Sequence, residues 1–377
     1  MKRIVVATGA LKHSLSVLEA LNAVKQGIRE AGGAWDVIGV PIADGGNGTL
    51  EAFLYHGGER VNTIVHDPLM RKINSQYGLI GDGKIGIIEM ALASGLELLT
   101  DGERAPLIAT TYGTGELMQL ALGQGVQQLI VGVGGSATND GGCGALMALG
   151  VKFFDADDQL LDVRPDTMLS IKRIDLNGVG ERWKDVDVVV AADVDNPVLG
   201  ERGASAVFAP QKGATPADIT YLERGLNHYF GLLAGVTGHD VRYVAGAGAA
   251  GALAGGLMAV LGARIETGVG LLMRTIGFAE WVQKADYVIT SEGRLDQQTL
   301  GGKTVLGVAQ VAKQYDVPCI VFVGDLSADE TFLREYGMSV VMPIMERPLG
   351  LNEALEDAER LLIRATRRTL WLLNLIE

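Results

Sequence analysis

Five segments gather side chains that handle charge. The densest is 132–144, GVGGSATNDGGCG, which puts Gly134, Gly135, Ser136, Thr138, Asn139 and Asp140 between an apolar run and a helix-like stretch. Successive N–H groups with hydroxyls make a nest for an anion. The alternative is a helix cap by Thr138, Asn139 or Asp140. In 192–197, ADVDNP, Asp193 and Asp195 are two residues apart. On an extended chain they point the same way, and converging carboxylates hold Mg²⁺ or raise one another's pKa for base work. A solvated strand end with a turn at Asn196-Pro197 is the competing reading. The run 44–49, DGGNGT, sets Asp44, Gly45 and Gly46 before a helix whose N-terminus favours an anion. The run 290–299, TSEGRLDQQT, carries Glu292, Arg294 and Asp296, with Lys303 shortly after. Arginine suits bidentate carboxylate or phosphate contacts, although a surface ion-pair loop would look similar. Lys212 lies in a turn, PQKGA, at 210–214. Phosphoryl transfer fits this inventory, because it needs positioning and charge neutralisation more than a covalent nucleophile.

Other motifs compete. GVGGSA at 132–137 satisfies G-x-G-x-x-A, with Asp155 and Asp157 about twenty residues on, and GAGAAG at 246–251 satisfies G-x-G-x-x-G. These keep a nicotinamide-dependent dehydrogenase open. The triplet 302–304, GKT, imitates the end of a P-loop, but Gln297 stands where its leading glycine belongs. No G-x-S-x-G elbow or H-E-x-x-H pair occurs.

The 377 residues carry a net charge of −13. A nucleic-acid partner needs a basic footprint and is not expected. The 52 glycines are about twice the usual share and belong in turns and ligand loops. Cys143 and Cys319 are too few for a disulfide framework or a cysteine-rich zinc site, and the cytoplasm is the expected compartment. The uncharged stretch 243–263 is mostly Gly and Ala, so a buried loop and helix is expected in place of a membrane span. Oligomeric state stays open, a homo-oligomer included.

These segments must be positioned by strands and helices in alternation. Apolar runs at 4–7, 35–41, 287–290, 319–324 and 339–343, with helical spacing between them, predict a doubly wound parallel sheet. Ser14 or Ser16 is a cap for the helix over 14–31, and 351–373 reads as one amphipathic helix. Short strands at 60–66, 74–80 and 84–89, a Gly-Asp-Gly turn at 81–83, and strands at 127–133, 151–154 and 187–192 predict a mixed sheet. The resulting division is 1–60 plus 265–377 against an inserted 61–264.

Taken in order, DGGNGT, TTYGTGEL (110–117), GVGGSATNDGG, DVDNP, PQKGA, GAGAAG and EGRLDQQTLGGK (292–303) resemble the bacterial type I glycerate kinases along the whole chain. The resemblance implies a flavodoxin-like domain interrupted by a second α/β domain. It also implies ATP-dependent phosphorylation of D-glycerate to 2-phosphoglycerate, assisted by Mg²⁺, in an interdomain cleft. Asp193 and Asp195 would then hold the metal, residues 134–140 would cradle phosphates, and Arg294 and Lys12 would grip glycerate or the phosphoryl group. Asp44, Asp193 or Asp296 would accept the hydroxyl proton. The family's opening Pro-Asp-Ser-Phe-Lys is here Thr8-Gly9-Ala10-Leu11-Lys12, Asn47 replaces a glutamate, and Val305 a proline. These changes leave open a degenerate or substrate-shifted member that binds a small hydroxy acid.

Overall fold

The computed structural model describes residues 1–11, 13–295 and 303–376. Its internal contacts divide it into two units, Met1–Asp44 with Val269–Glu377, and Gly45–Gly268. The first division therefore falls before the glycine run 45–48, where the sequence reading puts it at 60. Helix Thr49–Leu54 packs on strands Lys72–Ile80 and Ile85–Glu89 of the second unit. Leu50 and Leu54 lie so close over Gly78 that a Cβ there would meet Leu50 Cδ1 at 2.7 Å.

The first unit holds five parallel strands in the spatial order Val340–Pro343, Cys319–Leu326, Tyr287–Leu295, Lys2–Thr8, Trp35–Pro41. Numbered along the chain this is the 2-1-3-4-5 order of the flavodoxin-like fold. Ile4, Val5 and Val6 are fully buried on successive positions, as a strand covered on both faces requires. Ser16, not Ser14, caps helix Val17–Ala31: its hydroxyl accepts from Glu19 N–H (3.3 Å), and Glu19 Oε2 accepts from Ser16 N–H (2.8 Å). That helix lies on Ala358–Ile376. The single helix expected over 351–373 is two, Leu351–Glu356 and Ala358–Ile376. Asp357 breaks it at φ −90°, ψ 1°, and its carboxylate binds Arg360.

The second unit is built on a six-stranded sheet, ordered Arg264–Glu266, Asp187–Ala191, Gln128–Gly132, Ile85–Glu89, Lys72–Ile80, Glu59–His66. The first four run parallel, and the last two add antiparallel partners through the turns at 81–84 and 67–71. A separate antiparallel sheet joins Leu160–Leu161, Lys152–Phe154 and Arg173–Asp175. Only the middle one of these was expected, because strands of two or three residues carry no measurable periodicity. Helix Ala249–Leu261 is buried along most of its length. Among the described residues no helix is long and apolar enough to cross a membrane.

Candidate functional site

In the second unit the glycine loops meet at the carboxyl ends of the parallel strands. Gly134 N–H donates to Gly45 carbonyl at 2.9 Å, and Met90 N–H to Gly132 carbonyl at 3.0 Å. Gly45 sits at φ +92°, and a Cβ there would stand 2.4 Å from the Ala191 carbonyl oxygen. Only glycine meets both conditions. Gly251, at φ +61°, belongs to a left-handed turn with Ala250 and Ala252 (φ 55° and 68°). A Cβ on Gly251 would stand 2.1 Å from the Thr138 carbonyl oxygen, and its own carbonyl accepts Gly141 N–H at 2.9 Å. Three glycine-rich segments thus share one backbone cluster.

Asp140 lies at the centre of that cluster and is fully buried. Its Oδ2 accepts from Thr111 N–H and Thr111 hydroxyl, both at 2.8 Å, and from Gly144 N–H at 3.2 Å; Oδ1 accepts from Gly142 N–H at 3.1 Å. Burial raises its pKa against these donors. Asp140 therefore caps helix Cys143–Ala148 and ties it to the start of helix Tyr112–Gly123. The helix N-terminus that a dinucleotide pyrophosphate would occupy in the G-x-G-x-x-A reading is filled by the chain's own carboxylate.

Lys212 is 1% exposed. It ends the short 3₁₀ turn Pro210–Lys212, which Gly213 closes at φ +95°. Its ammonium donates to Ser136 hydroxyl at 2.9 Å and Thr138 carbonyl at 2.5 Å. Burial brings its pKa down to about 7, and the Asp140 charge opposes that fall. Beside it, Asn139 Nδ2 donates to Ser205 hydroxyl at 3.1 Å. Thr138 Oγ1 and Asn139 Oδ1 are buried with no hydrogen-bond partner among the described residues. The sequence motif and the distant lysine, 76 and 74 residues apart along the chain, are thus joined in one buried hydrogen-bonded cluster.

The other expected residues fall as follows. Gly45 and Gly46 belong to the cluster, and Gly46 carbonyl accepts Thr49 hydroxyl at 2.6 Å. The anion at the N-terminus of helix Thr49–Leu54 is internal: Glu89 accepts Gly48 N–H at 3.1 Å and Leu50 N–H at 2.9 Å. Asp193 is half-buried past strand Asp187–Ala191, and its Oδ1 accepts Gly268 N–H at 3.2 Å. Asp195 is exposed and engages Arg202 at 2.7 Å. In the first unit, Asp44 is exposed after strand Trp35–Pro41. Glu292 Oε1 accepts Gly293 N–H at 2.9 Å, and Arg294 Nε lies 3.3 Å from Asp325 Oδ2 on the adjacent strand. Lys12 and Asp296 lie outside the described residues, as does the side chain of Lys303, which opens helix Lys303–Gln314. Among the described residues no three His, Cys, Asp or Glu side chains cluster as a metal cage.

Sequence reasoning missed Glu89, Thr111 and Ser205. Glu89 carried a signal, a lone acid closing the apolar run IGIIE. Ser205 carried none.

A flavodoxin-order sheet, and a mixed sheet with glycine loops around a buried lysine at its strand ends, define an α/β protein of the small-molecule-binding class. The family pattern described as the glycerate kinase family matches residues 4–374. A glycerate kinase of Halalkalibacterium halodurans is 42% identical over 97% of both chains. The glycerate 2-kinase of Escherichia coli is 41% identical over 97% of this chain and 96% of its own. A crystal structure assigned to glycerate kinase 2 of Salmonella typhimurium superposes with a TM-score of 0.87 at 40% identity, covering 99% of this chain and 98% of that one. The chain belongs to the glycerate kinase family, a family of enzymes.

Proposed function

We propose that this chain is a cytoplasmic, ATP-dependent glycerate 2-kinase that transfers the terminal phosphoryl group of MgATP to the 2-hydroxyl of D-glycerate. The observation that carries it is the buried Lys212 ammonium bonded to Ser136 and Thr138 inside the glycine-rich loop. Lys212 and the loop residues 134–140 neutralise and orient phosphate oxygens, and Asp140 holds the loop in that conformation. In the first unit Arg294 and Lys12 take the glycerate carboxylate or the transferring group. Asp44, Asp193 or Asp296 accepts the hydroxyl proton. Mg²⁺ binds through one or two carboxylates plus substrate phosphates and water, so it needs no protein cage. Asp193 fits that role, whereas Arg202 occupies the Asp195 carboxylate. When bound, the ion neutralises phosphate charge.

Incubation with MgATP and D-glycerate, followed by ³¹P NMR, is expected to show 2-phosphoglycerate. A 3-phosphoglycerate signal would overturn the regiochemistry, and no product would overturn the kinase reading. Asp193→Asn is expected to lower kcat/KM for MgATP by about 100-fold, while Asp195→Asn stays within about twofold, since an exposed pair contributes little. Steady-state kinetics decide this. An Asp193→Asn enzyme with wild-type turnover would remove the metal assignment.

A further inference from the structure

In the flavodoxin-order sheet, strands Lys2–Thr8 and Tyr287–Leu295 are paired over Ile4↔Tyr287, Val5↔Val288 and Val6↔Ile289. On their outer sides both stay paired further along, Thr8 with Pro41 and Leu295 with Leu326. The shared ladder therefore ends while both strands continue, at the point where the strand order reverses. Doubly wound sheets bind ligands at this place, beyond the carboxyl ends of the strands.

Three hydroxyl residues sit there: Thr8 and Thr290 at 0% exposure and Ser291 at 1%. Thr8 Oγ1, Thr290 Oγ1 and Ser291 Oγ have no hydrogen-bond partner among the described residues. A buried hydroxyl left unpaired costs its full desolvation, so orphan hydroxyls at these strand ends point to a ligand group that pairs them. Continued by two residues, the register brings Thr8 level with Ser291, and level residues of neighbouring parallel strands face the same side. Thr290 faces the other.

The chemistry of the pair selects its ligand. Hydroxyls both donate and accept, which matches another hydroxyl. A phosphate or carboxylate would demand cationic or N–H donors, and the residue that follows Ser291 is the carboxylate Glu292. We propose that Thr8 and Ser291 bind the alcohol group of the hydroxy-acid substrate that is not phosphorylated. This rests on the kinase reading above, in which that group is the 3-hydroxyl of glycerate.

The test compares Thr8→Val, Ser291→Ala and the double variant with wild type. It measures the KM for D-glycerate, the inhibition constant of D-lactate, which lacks the 3-hydroxyl, and the unfolding midpoint. In the double variant the glycerate KM is expected to rise about tenfold or more. The D-lactate constant should stay within about twofold, and the midpoint should hold or rise, because an unpaired polar group has been removed. A glycerate KM within twofold of wild type overturns the proposal. So does a parallel rise for D-lactate, which would mean the hydroxyls hold a group shared by both acids. A lower midpoint with unchanged kinetics would make them structural and also overturn it. Wild-type turnover of glycerate, measured alongside, tests the kinase reading separately.

Discussion

Lys212→Met is expected to lower kcat/KM for glycerate phosphorylation by roughly 10²–10³-fold, the scale of losing one preorganised charge donor at a site of developing anionic charge. Two of the ammonium's three N–H groups are committed to Ser136 and Thr138, and the proposed function assigns the third to a phosphate oxygen. The same residue sets a pH dependence. With its pKa brought to about 7 by burial, the free enzyme loses this cation as pH rises through neutrality, so kcat/KM should fall on that limb. Stability moves the opposite way. Below pH 7 the lysine is charged in both states, and its burial cost is fully present. Between pH 7 and its ordinary value the unfolded chain holds a proton that the folded chain has released, so folding gains stability as pH rises. From pH 7 to 9 the wild type should gain about 2 kcal/mol relative to Lys212→Met, at ~1.4 kcal/mol per pH unit. Urea titrations of both proteins at each pH measure this, and parallel curves would show that Lys212 keeps its proton throughout.

Asp140→Asn is expected to be the most destabilising single change in the second unit, by about 3–5 kcal/mol. Its carboxylate accepts two N–H donors and a hydroxyl-plus-amide pair from Thr111. Asparagine keeps the shape but turns one oxygen into a donor, which would face N–H groups that already donate. Asp140, Thr111 and Thr110 are all buried, so bulk solvent does not take over the lost acceptor. Activity should fall with stability, because the loop that holds Ser136 and Thr138 is anchored there. Equilibrium unfolding measures the first effect and turnover at low temperature the second. A loss under 1 kcal/mol would show that the bonds are redistributed and the cap is dispensable.

Part of this cluster is legible in the sequence. The order of glycine-rich motifs singled out 132–144, and its hydroxyls, amide and acid are buried. Of the two readings weighed for it, the cap is met at Asp140, whereas Ser136 hydroxyl and Thr138 carbonyl engage Lys212, a contact neither reading anticipates. Asp193 and Asp195 show the limit of spacing arguments. Alternation puts both on one side of an extended chain, but beyond Ala191 the chain leaves the strand. Gly268 then takes one carboxylate and Arg202 the other. Helix Pro216–Thr237 carried full signals, a Thr215–Asp218 capping box, proline in its first turn and a left-handed Gly238 at its end, yet it drew no assignment. These are local cues that needed no tertiary information.

By itself the sequence determined the parallel strands, their helices and the family, because fully apolar runs, capping residues and ordered glycine motifs act over a few residues of chain. Only the tertiary structure decided which charges are internal. Glu89 closes one helix terminus and Asp140 another, so neither terminus is open to a ligand anion, while Lys212 crosses more than seventy residues of chain to enter the loop. Burial is what makes that difference. A lysine in a turn is unremarkable in water. Buried, with neutral oxygens as its hydrogen-bond partners among the described residues and an acid close by, it becomes a group whose charge depends on pH near neutrality.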